Sequence, residues 1–232
     1  MKSTFQISLT ASLLALSALT FAQRPYYQPA VGDVMQVWKS TFTKANFYSG
    51  HQTLLRELLP FMERDNRTRM TVVAENAATH VIVTVQFSSP YDVGGKGHAD
   101  KFPGSRRVDQ GNRTLTTANI TSANIEGYKP RIGDDLVLWF AAYRPGSEAN
   151  VDRIYNTRMW PVLRKDKYTR NSYFGETEVA GKYLGVNLQK AGEPTRPRVL
   201  NTLNPLKPFQ VGQTRNEVYR IIAVHNERQP AR

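Results

Sequence analysis

The sequence predicts an all-β protein built from two tandem β-sandwich domains, one spanning residues 23–129 and the other residues 130–232. Thr, Val, Asn, Gly and Pro are frequent and long helical patterns are few, which favours β-structure. The stretch PAVGDVMQVW, residues 29–38, recurs as PRIGDDLVLW, residues 130–139. The two stretches begin 101 residues apart (130 − 29), close to the roughly 100 residues of a sandwich domain. The repeat therefore predicts a duplicated unit.

The N-terminal residues 1–22 have the pattern of a secretory signal peptide. Lys2 precedes an uncharged apolar run, and small residues lie near Ala22, where cleavage is expected. A membrane anchor is the alternative, but Ser, Thr and Gln interrupt the run, and no later segment is apolar enough to span a bilayer. We therefore expect export to the periplasm or the cell surface. The chain has no cysteine, so its stability would come from a buried core.

Each further element of the first domain is predicted from its periodicity. After the strand that begins at residue 32, residues 51–65 place leucines at helical spacing, which predicts one short helical insert containing Pro60. Residues 69–75 and 79–88 alternate as a pair of strands. Residues 114–125 continue as a Thr-rich strand.

The second domain opens with an apolar strand in residues 132–143. It continues through residues 151–163, 177–189 and 216–226, and the helical insert has no evident counterpart there.

The repeated strand openings carry a resemblance to a known family. Residues 31–33, VGD, and residues 132–134, IGD, are each followed by alternating apolar positions. Gly permits the turn into the strand, and Asp can accept backbone hydrogen bonds at its edge. This pattern resembles exported bacterial immunoglobulin-like repeat domains, although the Cys pair and intervening Trp of antibody-type members are lacking. The resemblance implies two tandem immunoglobulin-like β-sandwiches and a role in adhesion, assembly or scaffolding outside the cytoplasm.

A long polar loop, residues 90–113, separates two predicted strands, and loops of this length are usually either functional or disordered. His98 and Asp100, together with His80 on the preceding strand, could supply metal ligands. The alternative interpretation is that these are solvated loop residues.

A basic and aromatic segment, residues 151–174, is the stronger functional signal. Arginine matches the geometry of phosphate and carboxylate groups, and aromatic rings stack on sugars or bases. The alternative is a set of core aromatics beneath a solvated basic face, in a protein with a net charge of +12. The predicted anion- or partner-binding residues are Arg153, Arg158, Trp160, Arg164, Lys165, Lys167, Tyr168 and Arg170.

No Gly-x-Ser-x-Gly, His-Glu-x-x-His or cysteine nucleophile occurs, so no catalytic residue and no cofactor is expected. The sequence predicts a non-catalytic structural or accessory binding subunit of a cell-envelope or surface-layer type assembly. Its expected partners are envelope proteins or acidic surface polymers, and we expect it to be part of a larger complex. The basic segment would bind polyanions. The alternative function is a metal-assisted extracytoplasmic hydrolase or nuclease centred on residues 90–113.

Overall fold

A computed structural model describes residues 26–60, 68–90, 112–165, 170–193 and 205–226. The signal peptide predicted at residues 1–22 lies outside this part of the chain. Within the described residues, no helix is both long enough and apolar enough to cross a membrane.

In the described residues, the two halves of the chain contain corresponding strands and π-helical turns in the same order. Each half has a strand, a helical segment with a π-helical turn, and three further strands. In the first half these are β1 Val34–Thr41, α1 Lys44–Thr53, the π turn Leu54–Leu58, β2 Met70–Asn76, β3 Val81–Ser88 and β4 Asn112–Ile125. In the second half they are β5 Asp135–Ala142, α2 Glu148–Ile154, the π turn Tyr155–Met159, α3 Trp160–Lys165, β6 Asn171–Thr177, β7 Lys182–Gln189 and β8 Arg215–Asn226.

The strands form one closed antiparallel barrel in the order β1-β3-β2-β8-β5-β7-β6-β4. β4 pairs with β1 over residues 112–119 and then with β6 over residues 118–125. β8 likewise pairs with β5 over residues 215–220 and with β2 over residues 220–226. The last strand of each half therefore crosses to the other half. The predicted pair of immunoglobulin-like sandwiches is wrong, because each half forms one four-stranded sheet instead of two packed sheets, and the edges of the two sheets pair to close a single barrel.

The offset of 101 residues found in the sequence recurs throughout the barrel. It relates β1 to β5, β2 to β6, β3 to β7 and one π turn to the other. The absence of a second helical segment was therefore a wrong prediction. Residues 151–163, predicted to continue the strands, are helical, and their buried face carries aromatic residues that contact β6 and β7.

The repeated VGD and IGD stretches do form the turns into β1 and β5. Gly32 and Gly133 have φ of 96° and 91°, which favours glycine. Asp33 Oδ2 accepts hydrogen bonds from Ala30 N at 2.9 Å and from Tyr27 Oη at 2.5 Å. Asp134 Oδ2 does the same with Arg131 N at 2.7 Å and with the hydroxyl of Tyr128. The predicted local role of this motif is confirmed, although the fold that it implied is wrong.

The core has two layers. Alternate strand residues fill the barrel interior, where Met35, Phe87 and Leu136 are fully buried. The helices cover the outer face of the barrel, where Leu54 joins a cluster with Ile82 and other apolar residues. The helical segments thus lie outside the barrel and leave its interior to the strands.

Candidate functional site

Alternate side chains of β1, β4, β5 and β8 line one end of the barrel interior in layers that the strand pairing defines. Thr41 and Asn112 pair at the rim. The first layer inside the rim is Lys39, Thr114, Phe140 and Arg215, the next is Val37, Thr116, Leu138 and Glu217, and the third is Met35, Ala118, Leu136 and Tyr219. Each layer takes equivalent positions from the two halves, 101 residues apart. We call the layer of Lys39, Thr114, Phe140 and Arg215 the barrel mouth.

Two cavities meet at the barrel mouth. The barrel pocket has a volume of about 280 Å³ and is lined by Val37, Lys39, Thr41, Asn112, Thr114, Thr116, Leu138, Phe140 and Arg215. The side groove has a volume of about 650 Å³ and extends from the mouth towards the turn between β6 and β7. Both cavities are lined by Thr116, Phe140 and Arg215, so the two spaces adjoin.

A charged cluster stands at this mouth. Lys39 Nζ donates to both carboxylate oxygens of Glu217, at 3.0 and 2.8 Å. Tyr219 Oη donates to Glu217 Oε2 at 2.5 Å, and Arg215 Nε lies 3.3 Å from Glu217 Oε1. The side chains of Lys39 and Glu217 are only 29% and 18% exposed, whereas that of Arg215 is 66% exposed. The cluster therefore has an interior ion pair and a second cation that a ligand can reach.

The protonation states in the cluster follow from these contacts. Burial raises the pKa of Glu217, but the hydrogen bonds from Lys39 and Tyr219 and the two nearby positive charges outweigh it and lower the pKa overall. Burial is the larger of two causes that raise the pKa of the Tyr219 hydroxyl well above its usual range, and the hydrogen bond to Glu217 is the second. At neutral pH, Glu217 is therefore a carboxylate and Tyr219 is a phenol. A carboxylate that already accepts several hydrogen bonds is a weak base, so Glu217 positions its neighbours.

The mouth has an excess of positive charge and an aromatic wall. Two cations and one carboxylate leave a net charge of +1 in the cluster of Lys39, Arg215 and Glu217. The Arg215 guanidinium carbon lies 4.6 Å from the centre of the Phe140 ring, which is a cation–π contact. Because Arg215 meets Glu217 through Nε, its Nη groups can hydrogen-bond to an anion. The arrangement can therefore hold a flat ligand that carries an ionised oxygen.

Replacing Glu217 by Gln should lower the free energy of unfolding by about 1 kcal/mol at pH 7, after allowance for the solvent that reaches the cluster. Because the folded-state pKa of Glu217 is lowered, its carboxylate stabilises the fold above its unfolded pKa of roughly 4.3. This contribution is lost as the pH falls through the folded-state value. Urea unfolding of both proteins from pH 7 to pH 3 should thus show a difference that shrinks towards zero in acid. The exposed Glu178, changed to Gln, is the control, and a pH-independent difference for E217Q would contradict the interpretation.

Among the predicted basic and aromatic residues that the structure describes, the side chains lie in different environments. Arg153 and Arg158 are exposed on the helical segment, whereas Trp160 is buried and its indole N–H donates to Ser122 Oγ. Arg164 Nε donates to Asn124 Oδ1 at 2.6 Å, and Arg170 forms an ion pair with Glu193 at 2.9 Å.

Lys167, Tyr168 and the side chain of Lys165 lie outside the described residues. The binding role of the segment stays a prediction, as do the expected acidic partners and export.

The predicted metal ligands are mostly beyond the described residues as well. His98 and Asp100 belong to the part of the 90–113 loop that is not described. His80 lies in the turn between β2 and β3 with a φ of 55°, and its ring meets that of Phe47 edge-on at 5.5 Å. In the described part of the chain, no group of three or more His, Cys, Asp or Glu side chains could hold a metal ion.

Lys39, Arg215, Glu217 and Tyr219 were not among the site residues predicted from the sequence. A signal was present, because Arg215, Glu217 and Tyr219 alternate along a strand that continues into apolar residues. The internal repeat is broken at two of these positions, because Phe140 is equivalent to Lys39 and Thr116 is equivalent to Glu217. Polar residues that depart from an internal repeat, on the inward face of a strand, would have pointed to the site.

Comparison with known proteins places the fold. No family model matches the chain, and no curated protein matches it. A candidate monooxygenase from Fusobacterium nucleatum superposes with a TM-score of 0.65 at 10% identity, over 84% of this chain and 95% of that one. An anthrone oxidase-like protein superposes with a TM-score of 0.60 at 9% identity, over 87% of this chain and 96% of that one. A ferredoxin-fold protein from Listeria monocytogenes, related to antibiotic biosynthesis monooxygenases, superposes with a TM-score of 0.50 at 13% identity, over 82% of this chain and 95% of that one.

These similarities correct the family and the function inferred from the sequence. The barrel is shared with monooxygenase-like proteins, so the resemblance to immunoglobulin-like repeat domains is wrong. The predicted role as a structural or accessory subunit of an envelope or surface assembly came from that resemblance, and it is wrong for the same reason. The turn motif behind it has a general physical role, because a glycine turn and an Asp cap can begin a strand in either fold.

Proposed function

We propose that the protein is an oxidoreductase that binds the ionised form of a phenol or enol at the barrel mouth and promotes its oxidation by dioxygen. The observation that carries the proposal is the meeting of Lys39 and Arg215 on Glu217 at the opening of the barrel pocket, beside the ring of Phe140. The structural neighbours named as a candidate monooxygenase and as anthrone oxidase-like support this reaction class.

The positive charge at the mouth would favour the ionised substrate. A cation near a phenol or enol stabilises its conjugate base and lowers its pKa, and the effect is larger where water is partly excluded. Arg215 is the group that would contact the ionised oxygen, and Lys39 would add a second, less exposed positive charge. Phe140 would hold the ring or the conjugated system flat against the wall of the pocket.

The remaining residues of the cluster would position these cations. The Glu217 carboxylate accepts a hydrogen bond from Lys39 and forms an ion pair with the Nε of Arg215. Tyr219, one layer deeper in the barrel, donates a hydrogen bond to the same carboxylate. Because the pKa of Glu217 is lowered, the substrate proton would pass to solvent instead of to this carboxylate. The bound anion would then supply electrons to dioxygen. For anthrone, one oxygen atom would convert the methylene carbon to a carbonyl, and the other would leave in one molecule of water.

The wild-type protein should consume dioxygen in the presence of anthrone, with formation of anthraquinone. Replacing Arg215 by Gln should lower kcat/KM about 100-fold, the size expected when one charge-stabilising donor is removed. An oxygen electrode would measure the consumption of dioxygen, and absorbance would measure the formation of anthraquinone.

Arg131→Gln provides the matched control, because it removes the same charge from an exposed turn away from the barrel mouth. Oxygen uptake no faster than without protein, or an equal loss in both variants, would contradict the proposed function. A thermal melt of each variant would separate a loss of activity from a loss of folding.

A further inference from the structure

We infer that the substrate has an extended apolar body besides its ionised oxygen, and that this body lies in the side groove. The inference rests on the proposed function for the identity of the ionised group, but its evidence comes from the groove. Leu115, Phe140, Val179 and Arg215 are among the residues that line the groove.

The pairing of β4 explains why a groove exists at this place. Residues 112–117 of β4 pair with β1 alone, because pairing with β6 begins at Ala118. The wall of the barrel is therefore open on one side of this part of β4. The ends of β5 and β7 and the turn that joins β6 to β7 form the opposite wall.

The sizes of the two cavities indicate that they act together. The barrel pocket, at about 280 Å³, is smaller than the roughly 300 to 1,000 Å³ typical of ligand sites. It can hold an ionised group and the atoms next to it. The side groove, at about 650 Å³, adjoins it at Phe140 and Arg215, so a ligand held by Arg215 can extend into the groove.

The surface of the groove is apolar where a ligand body would rest. Leu115 is 39% exposed and Val179 is 54% exposed, and both line the groove. These two side chains give the groove an apolar surface, and covering that surface with the apolar part of a ligand would remove it from water. Continuity with the cationic mouth favours the apolar part of a single amphipathic ligand.

The internal repeat shows that this apolar surface is not required by the fold. The position equivalent to Leu115 in the second half is Asn216, and the position equivalent to Val179 in the first half is Ala78. The same strand and the same turn thus form with a polar or a small residue. Leu115 and Val179 are therefore specificity-determining residues of the groove.

Binding of unreactive straight-chain carboxylates tests the inference without any oxidation step. Isothermal titration calorimetry with acetate, hexanoate and decanoate should give a Kd that falls by about two- to fourfold for each added methylene. Leu115→Asn and Val179→Asn should each reduce this dependence on chain length and leave acetate binding unchanged. Arg215→Gln should weaken all three ligands by a similar factor.

Ile132→Asn is the matched control, because Ile132 is 74% exposed and lies outside the groove. No detectable carboxylate binding, a Kd independent of chain length, or equal effects of I132N and V179N would overturn the inference. If the chain-length dependence is found but anthrone is not oxidised, the groove assignment stands and the proposed function fails. If anthrone is oxidised while L115N and V179N bind decanoate like the wild type, only the groove assignment fails.

Discussion

Neither half of the chain, produced alone as residues 27–129 or 130–227, is expected to fold as a monomer. The end of β4 pairs with β6, and the end of β8 pairs with β2. Separating the halves therefore removes both of the strand pairings that close the barrel. Each half would also expose the apolar face that fills the interior. The rings of Phe87 and Tyr173, for example, meet across the halves at 4.8 Å. A sheet with open edges and one uncovered apolar face tends to associate or to unfold.

Near-ultraviolet circular dichroism and size-exclusion chromatography of each fragment would measure this effect. Mixing or co-expressing the two fragments is the control, because together they contain every strand of the barrel and should restore a cooperative unfolding transition. A fragment that is monomeric and unfolds cooperatively would contradict the prediction. Such a fragment would support independent domains at 23–129 and 130–232, a division that stays a prediction.

Gly175→Ala should lower the free energy of unfolding by roughly 3 kcal/mol or more, which is the upper range for overpacking. A Cβ at this position of β6 would lie 2.1 Å from the backbone oxygen of Asn119 and 3.2 Å from the Cα of Ile120. Backbone atoms cannot rotate away as a side chain can, so β4 would have to move. Ala74 occupies the equivalent position in the first half, so the constraint comes from the closer approach of β4 to β6.

Gly212→Ala is the control for this variant. Gly212 has a φ of 73° but nothing within 4 Å of an added Cβ, so the change introduces backbone strain alone. We expect that strain to cost about 1 to 2 kcal/mol. Chemical denaturation of the two variants would compare the effects, and equal losses would show that crowding by β4 is not the cause at Gly175.

Local patterning predicted most of the strands and the repeat, although it missed β6 and assigned the helical residues 151–163 to a strand. The strands predicted at residues 69–75 and 79–88 are confirmed as Met70–Asn76 and Val81–Ser88, because alternation with a period of two is a local property of the chain. The turns at Gly32 and Gly133 are local as well, since each Asp caps the residues immediately before it.

Only the tertiary structure decided how those strands pair and where the site lies. The same alternating pattern satisfies a strand in a sandwich or in a barrel, because both have one buried face. The choice depends on contacts between the halves, such as that of β4 with β6, which no local pattern encodes. Lys39 and Glu217 are 178 residues apart in sequence and form an ion pair only because barrel closure brings β1 and β8 to the same mouth. Alternation predicted which side chains share a face of their own strand, and closure of the barrel determined which of them meet.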